Sequence, residues 1–435
     1  HDLVLGIESI EEWAEIGIIG AAAGRRALAL GAEGQVVRII ADMQGDVQHL
    51  LLVIALGDRN PVGLKLGRNR SIFVGRNDMD QSMFAEELHL TDIPLLDLLT
   101  DWKRSYNYVG SYYINIGNNP NNGEYTDWGV SGPLYQDYIS LGNEIGTHSW
   151  THPYYTSELS PSELEYEFNQ SKLEIGSRLG IEVVGAAVPG NAENLAVDWQ
   201  LNNYFSYLSG RSGVIGYGYP GAFGYLTPEY NMVYFCLNLS PDFTLIEYLG
   251  YTPADATTIW ANEYSALLDH ASQPIIHWLW HDYGPTTGSQ GPYSVAMYED
   301  TISMAFQADS EFTTLDNVHQ RIKTFQSTTF DVEESNNDSL DVSISSTDLG
   351  QLSLKTNSDR IIQSVDNWYA YDEDQVFLPQ DGGRFVIHLG GTPSELTHIV
   401  SLPMRAKLLS LSGNGSELSF TFEGEALFSV GPLVG

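Results

Sequence analysis

The chain has 435 residues, 43% of them hydrophobic, which is enough for two or three domains with cores of their own. Fifty-six acidic residues against twenty basic ones give a formal charge of −36, which disfavours nucleic acid and anionic membranes, because binding a phosphate backbone relies on Lys and Arg. The single cysteine, Cys236, excludes an intramolecular disulfide, and no run of 18 apolar residues predicts a transmembrane helix. A charge of this size suits a salty medium or the handling of cationic polymers. No leader pattern is visible, and His1 is not a translation start, so the reading expects a removed leader or tag, or an incomplete N-terminus.

Residues 1–70 read as a small β-rich segment, with apolar strands at Val36 to Ile40 and Leu50 to Leu56 and a turn at Gly45-Asp46. Short apolar runs then alternate with helical patterns, which predicts βα units and a parallel sheet. Ser71 to Gly75 is a buried strand that ends in Arg76-Asn77-Asp78-Met79-Asp80. Asp92 to Arg104 is an amphipathic helix, with Thr91 or Asp92 as N-cap and Pro94 in its first turn. Tyr108 to Gly117 reads as the next strand, Asn118 to Gly123 as a loop, and Leu134 to Leu141 as a helix closed by Gly142. Ser160-Pro161-Ser162-Glu163 opens a helix with capping-box chemistry that stops at Gly180. Val183 to Val188 is a strand ending at Pro189-Gly190, whereas the Gly/Tyr-rich stretch from Tyr204 to Tyr230 yields no element. Thr257 to Ala271 is a helix, Pro274 to Gly284 a buried strand with the polar tip His281-Asp282, and Thr314 to Ile322 a last helix. Beyond Phe330, short strands at Ser339 to Ile344, Gln351 to Lys355, Val376 to Leu378, Arg384 to Leu389 and Leu418 to Phe422 predict a sandwich or barrel. The acidic run from Glu333 to Ser339 reads as the linker before it.

The most informative stretch is Gly146-Thr147-His148-Ser149-Trp150-Thr151-His152-Pro153. Its histidines lie four residues apart, and on a helical turn that spacing puts both imidazoles on one face, within reach of one metal ion. Two histidines and one carboxylate around an open position form a catalytic zinc arrangement. The same spacing also arises by accident between exposed or core histidines.

The segment from Leu141 to Pro153 resembles the G-x-E-[IV]-G-x-H-[ST]-x-x-H-P signature of the polysaccharide deacetylase (NodB-homology) family of carbohydrate esterases. The resemblance covers residues 70 to 325. It implies a deformed (β/α) barrel at 71–328, between the β-rich segment 1–70 and a C-terminal β-sandwich-like domain at 329–435. It also implies that Asp78 is the catalytic base and that Asp80 joins His148 and His152 as a metal ligand. Here the two aspartates are separated by Met79 rather than adjacent, a D-x-D form that resembles relatives acting on secreted exopolysaccharides. Spacing of two puts both on one face of an extended segment. The family's last motif matches His281, as the acid, better than His277, which reads as a packed strand histidine. Where the family carries an arginine that orients the base, this chain has Val184 and Gly185, leaving Arg211 or Arg76 to take that role; the motif that flanks the base has no placed counterpart.

The implied cofactor is Zn2+, with Co2+ or Ni2+ also accepted by the ligand set. The implied function is metal-dependent removal of N-acetyl groups from an amino-sugar polysaccharide, in an extracellular or periplasmic setting. Two other classes stay open. One is an O-acetyl glycan esterase; the other is a non-catalytic glycan-binding or structural protein, for which the missing arginine is the best argument. The C-terminal domain is either a carbohydrate-binding module or a structural partner. Trp368-Tyr369-Ala370-Tyr371 is either its sugar platform or an aromatic core cluster.

Overall fold

The run from Ser71 to Met79 forms one strand, β1, with every residue buried. Alternate side chains go to opposite faces. Ile72 and Val74 join an inner cluster with Tyr113, Ala187, Tyr207, Val233, Phe235 and Ile275. Phe73 and Met79 join an outer cluster with Trp102, Trp278, Trp280 and Tyr298. Burial on both faces is the signature of a parallel sheet covered by helices.

The computed structural model describes residues 27–31, 35–40, 61–84, 91–210, 223–224 and 232–424, apart from 192, 272, 289–290, 337 and 393–394. They fall into two compact units, 1–63 with 355–359, and 64–354 with 360–435. In the first unit Ala27–Gly31 pairs antiparallel with Gln35–Ile40, which contains the expected strand at Val36 to Ile40. The expected strand at Leu50 to Leu56 and the turn at Gly45-Asp46 lie outside the described residues, as does nearly all of the stretch from Tyr204 to Tyr230 beyond Gly210.

The second unit is built on a nearly closed parallel barrel. After β1 come β2 (Ser111–Ile114), β3 (Glu144–Thr147), β4 (Gly185–Ala187), β5 (Tyr207–Ser209), β6 (Val233–Phe235) and β7 (Ile275–His281). The spatial order is β7-β1-β2-β3-β4-β5-β6. A further strand, β8 (Ser310–Thr313), also pairs with β1. Phe223–Gly224 pairs antiparallel with β6 at the far edge, and beyond β6 a side chain bonds to the backbone of β7. Asn238 donates through Nδ2 to Ile275 O at 2.8 Å and accepts from His277 N at 2.8 Å, while its own N–H donates to His277 O at 3.3 Å. The expected deformed (β/α) barrel is the fold of this unit.

Several helices begin earlier than their apolar patterns suggest. The helix Trp128–Ser140 starts six residues before the expected Leu134, because Asp127 accepts from Gly129 N at 3.0 Å and burial of Ser131, Tyr135 and Tyr138 holds the helix through Gly129, Gly132 and Pro133. Pro253–His270 starts at a Thr252/Asp255 capping box rather than at Thr257. The Ser160/Glu163 box is present as expected. The acidic run at Glu333 is not a linker. It belongs to the strand Thr329–Asn336, which pairs antiparallel with Ser339–Ser345 in a four-stranded sheet completed by Gly382–Gly390 and Ile361–Val365. Trp368 donates to Ala370 O and Phe377 O and packs edge-on to Phe385, while Ala370 and Tyr371 are buried, so this aromatic run packs inward.

Candidate metal centre and active site

The carboxyl ends of β1, β3 and β7 carry the polar groups, as expected for a barrel whose chemistry sits at that face. Asp80 follows the last residue of β1 and opens a 3-10 turn, Asp80–Met83. Its Oδ1 lies 3.8 Å from His148 Nε2 and 3.6 Å from His152 Nε2. The ligand atoms of these three residues all fall within 4.8 Å of one another, close enough to hold one metal ion.

The histidines converge, but not on a helical turn. Residues 148–155 are irregular, and Ser149 (φ +84°) and His152 (φ +57°) both adopt the left-handed region. Pro153 explains the departure, since the residue before a proline is kept out of right-handed helix. The loop is tied internally: Ser149 N donates to Thr147 Oγ1 at 3.1 Å and His152 N to Ser149 Oγ at 3.0 Å. Upstream, a Cβ on Gly146 would meet the Tyr113 ring at 2.5 Å, which fixes glycine at that point of the motif.

His148 is buried and donates through Nδ1 to Ala187 O at 3.0 Å, so Nε2 is the free nitrogen facing the aspartates. Burial lowers its pKa well below the ordinary value, against the pull of Asp78, and keeps the ring neutral. A neutral imidazole with its outer N–H fixed is what a metal ligand requires. For Asp80, burial raises the carboxyl pKa although His281 and His152 oppose it. That residual demand for positive charge, together with a two-imidazole, one-carboxylate donor set, fits a divalent cation of the zinc type.

Asp78 lies beside this cluster, its Oδ2 3.3 Å from His148 Nε2. The buried guanidinium of Arg76, two residues earlier on the same face of β1, grips it with Nε on Oδ1 at 2.6 Å and Nη2 on Oδ2 at 2.8 Å. The remaining guanidinium hydrogens reach Ser209 O at 2.9 Å, Ser209 Oγ at 3.0 Å and Val188 O at 2.8 Å. Burial alone would raise the Asp78 pKa, but Arg76 and then His148 outweigh it and hold the carboxyl well below the usual range. Val188 directly follows β4, the strand where the family arginine was expected, and Arg76 of β1 bonds to its carbonyl. Arg211, the other candidate, lies outside the described residues.

His281 is the register neighbour of Asp78 across β7 and β1. Its Nε2 points towards the cluster, 3.9 Å from Asp80 Oδ2. Behind it Asp242, buried and unmarked in the sequence, accepts from His281 Nδ1 at 2.6 Å, from His281 N at 2.9 Å and from Tyr298 OH at 2.9 Å. Burial works against the imidazolium, yet Asp242 and then Asp80 carry the His281 pKa up to about 9. Tyr283 stacks on the ring at 4.9 Å. His277 is a packed strand histidine, bonded to Cys236 O and Ser209 Oγ, with its pKa pushed by burial down to about 3. The sequence held a signal for Arg76, an arginine at the same-face spacing from Asp78, and none for Asp242.

Residues 113–205, which span β2 to the approach of β5 and include the histidine loop, match the family described as polysaccharide deacetylase. Over these residues the chain is similar to polysaccharide deacetylases. Among solved structures, a putative polysaccharide deacetylase from Mycobacterium smegmatis aligns over 59% of this chain and 92% of its own, at 14% identity and TM-score 0.44. A probable polysaccharide deacetylase from Pseudomonas aeruginosa PAO1 aligns over 58% and 91%, at 11% identity and TM-score 0.44. A CE4 family pseudoenzyme from Bacillus anthracis aligns over 57% and 66%, at 11% identity and TM-score 0.36. No curated protein matches the sequence. Among the described residues, no helix is long and apolar enough to cross a membrane.

Proposed function

We propose that the barrel, residues 71–328, is a metal-dependent deacetylase that removes N-acetyl groups from an amino-sugar polysaccharide outside the cytoplasm. The observation that carries this reading is the placement of Asp78 and His281 against the Asp80, His148, His152 group, each held by a buried partner of opposite charge. In this reading Asp80, His148 and His152 hold a divalent ion, zinc by ligand type. The chemistry such an ion supplies when bound is Lewis acidity, towards the acetyl carbonyl and the attacking water.

The chain's own groups do the rest. Asp78, kept ionised by Arg76, accepts the proton of the attacking water. His281, kept as imidazolium by Asp242, donates its Nε2 proton to the departing sugar nitrogen, since an amine leaves an amide only when protonated. His148, with Nδ1 committed to Ala187 O, cannot take that role. The arginine whose absence favoured a non-catalytic protein has a substitute in Arg76, and this moves the reading towards catalysis.

Release of acetate from acetylated amino-sugar oligomers tests the proposal. The expected result is release that stops with a chelator and returns with zinc. Release only from O-acetylated glycans would move the assignment to an esterase, and no release from either would leave a binding protein.

A further inference from the structure

The loop that carries both histidines is held from outside by one carboxylate. Glu167 Oε2 accepts from Trp150 N at 3.0 Å and from Thr151 N at 2.8 Å, and Oε1 accepts from Thr151 Oγ1 at 2.6 Å. Glu167 is buried and comes from the helical run that begins at Pro161 and ends at Leu179. That run is not uniform: Glu165–Gln170 forms a π-turn, a local widening that re-aims the side chains within it. Glu167 meets the loop, and Ser171 meets Thr147, the residue that leads into it. Ser171 donates to Phe168 O at 3.0 Å and accepts from Thr147 Oγ1 at 2.6 Å, and Thr147 Oγ1 in turn accepts from Ser149 N.

The clamp sits between the two left-handed residues, Ser149 and His152. Such conformations in non-glycine residues cost on the order of 1–3 kcal/mol each and persist only where the surroundings over-determine them. Two N–H groups and a hydroxyl fixed on one carboxylate supply that determination, at the two residues that separate the strained positions. We infer that Glu167 is a positioning residue for the metal centre: by pinning Trp150 and Thr151 it holds the backbone in the form that turns both imidazoles towards Asp80.

The inference rests on the metal-holding reading of Asp80, His148 and His152, and zinc affinity measured by competition with a chromogenic chelator tests the two separately. Wild type, His148→Ala, Glu167→Ala and Glu167→Gln are compared as full chains, with the thermal unfolding of each zinc-free protein alongside. Wild type should bind one zinc and His148→Ala none. Glu167→Ala should weaken zinc by about tenfold or more, the scale for partners that orient metal ligands. Glu167→Gln, whose amide oxygen still receives both N–H groups while its NH2 donates to Thr151 Oγ1, should restore most of that affinity. A purely structural role would lower the unfolding temperature of Glu167→Ala and leave its zinc affinity within about twofold of wild type, and that result overturns the inference. If Glu167→Ala does not fold, Glu167→Asp, too short to span the loop, carries the same expectation and the same refutation. A wild-type chain that takes up no zinc overturns the metal reading and the inference with it.

Discussion

Arg76 and Asp78 stand two residues apart on one face of one strand, and the guanidinium holds both carboxylate oxygens, at 2.6 and 2.8 Å. Neither side chain has meaningful access to water. Two roles follow from this pair: it keeps Asp78 ionised, and it leaves a buried charge if either member is lost. Arg76→Gln should therefore destabilise the chain by about 3–5 kcal/mol, the usual cost of breaking a buried ion pair from one side. Arg76→Lys should fold better but lose activity, because an ammonium cannot make the two-point contact. Urea unfolding together with acetate release distinguishes the two effects.

Asp242 is the counterpart on the acid side. Asp242→Asn removes the charge behind His281 Nδ1 while it keeps an acceptor there. Turnover should fall by about 100-fold, the lower scale for general acid–base catalysis, with zinc content unchanged. The loss should shrink for substrates whose leaving group needs no proton. Equal losses for good and poor leaving groups would remove His281 as the acid.

At the opposite end of the barrel, Glu144 accepts from Ser111 Oγ at 2.7 Å, from Asp316 N at 3.1 Å and from Tyr207 OH. Burial, and then the charge of Asp316, push its pKa up to about 7. A carboxyl that binds its proton more tightly when folded makes the folded chain lose stability as pH rises, here from the ordinary carboxyl range to about 7. Glu144→Gln should flatten that fall in the unfolding midpoint between about pH 4.5 and 7, because an amide has no proton to lose there. A midpoint curve identical to wild type would assign the dependence elsewhere.

The C-terminal strands are stitched to the barrel by Arg405. Its guanidinium donates to Asn107 O at 3.1 Å, Asn107 Oδ1 at 2.6 Å and Phe312 O at 2.5 Å, and its backbone N–H meets Glu311 Oε1 at 2.8 Å. Asn107 precedes β2 and Phe312 lies on β8, so the stitch is far along the strands from the histidines. We expect residues 329–435 to act as a structural partner of the barrel. Arg405→Ala should lower stability by about 2–4 kcal/mol, from hydrogen bonds to a charged group. Unfolding should remain a single transition in wild type by both fluorescence and circular dichroism; two separated transitions would make the C-terminal strands an independent module.

The site was legible where its residues are local in sequence. Gly146 to Pro153 holds both histidines in one contiguous signature, and Asp78 and Asp80 stand at the end of a strand that hydrophobicity marks clearly. His281 was readable for the same reason, as the polar tip of an apolar run. What failed was the conformation between the histidines: i,i+4 spacing is met equally by a helix and by a loop with two left-handed residues, and only Pro153 argued for the loop. Asp242 lies 39 residues before the histidine it serves and in no pattern of its own. In the fold, β4 was legible within the expected strand at Val183 to Val188, but β5 and β6 are three residues each, too short for periodicity to separate from turns. The start of the helix at Trp128 was hidden because Gly129, Gly132 and Pro133 speak against helix and only packing overrules them.

The account depends most on one ion held by Asp80, His148 and His152, with Asp78 beside it and not on it. Anomalous scattering from a zinc-soaked crystal tests this directly. The account predicts a single peak about 2.0–2.2 Å from one Asp80 oxygen, His148 Nε2 and His152 Nε2, with Asp78 still paired to Arg76. No peak at this group, or a peak that takes Asp78 from Arg76 as a ligand in place of Asp80, would contradict it.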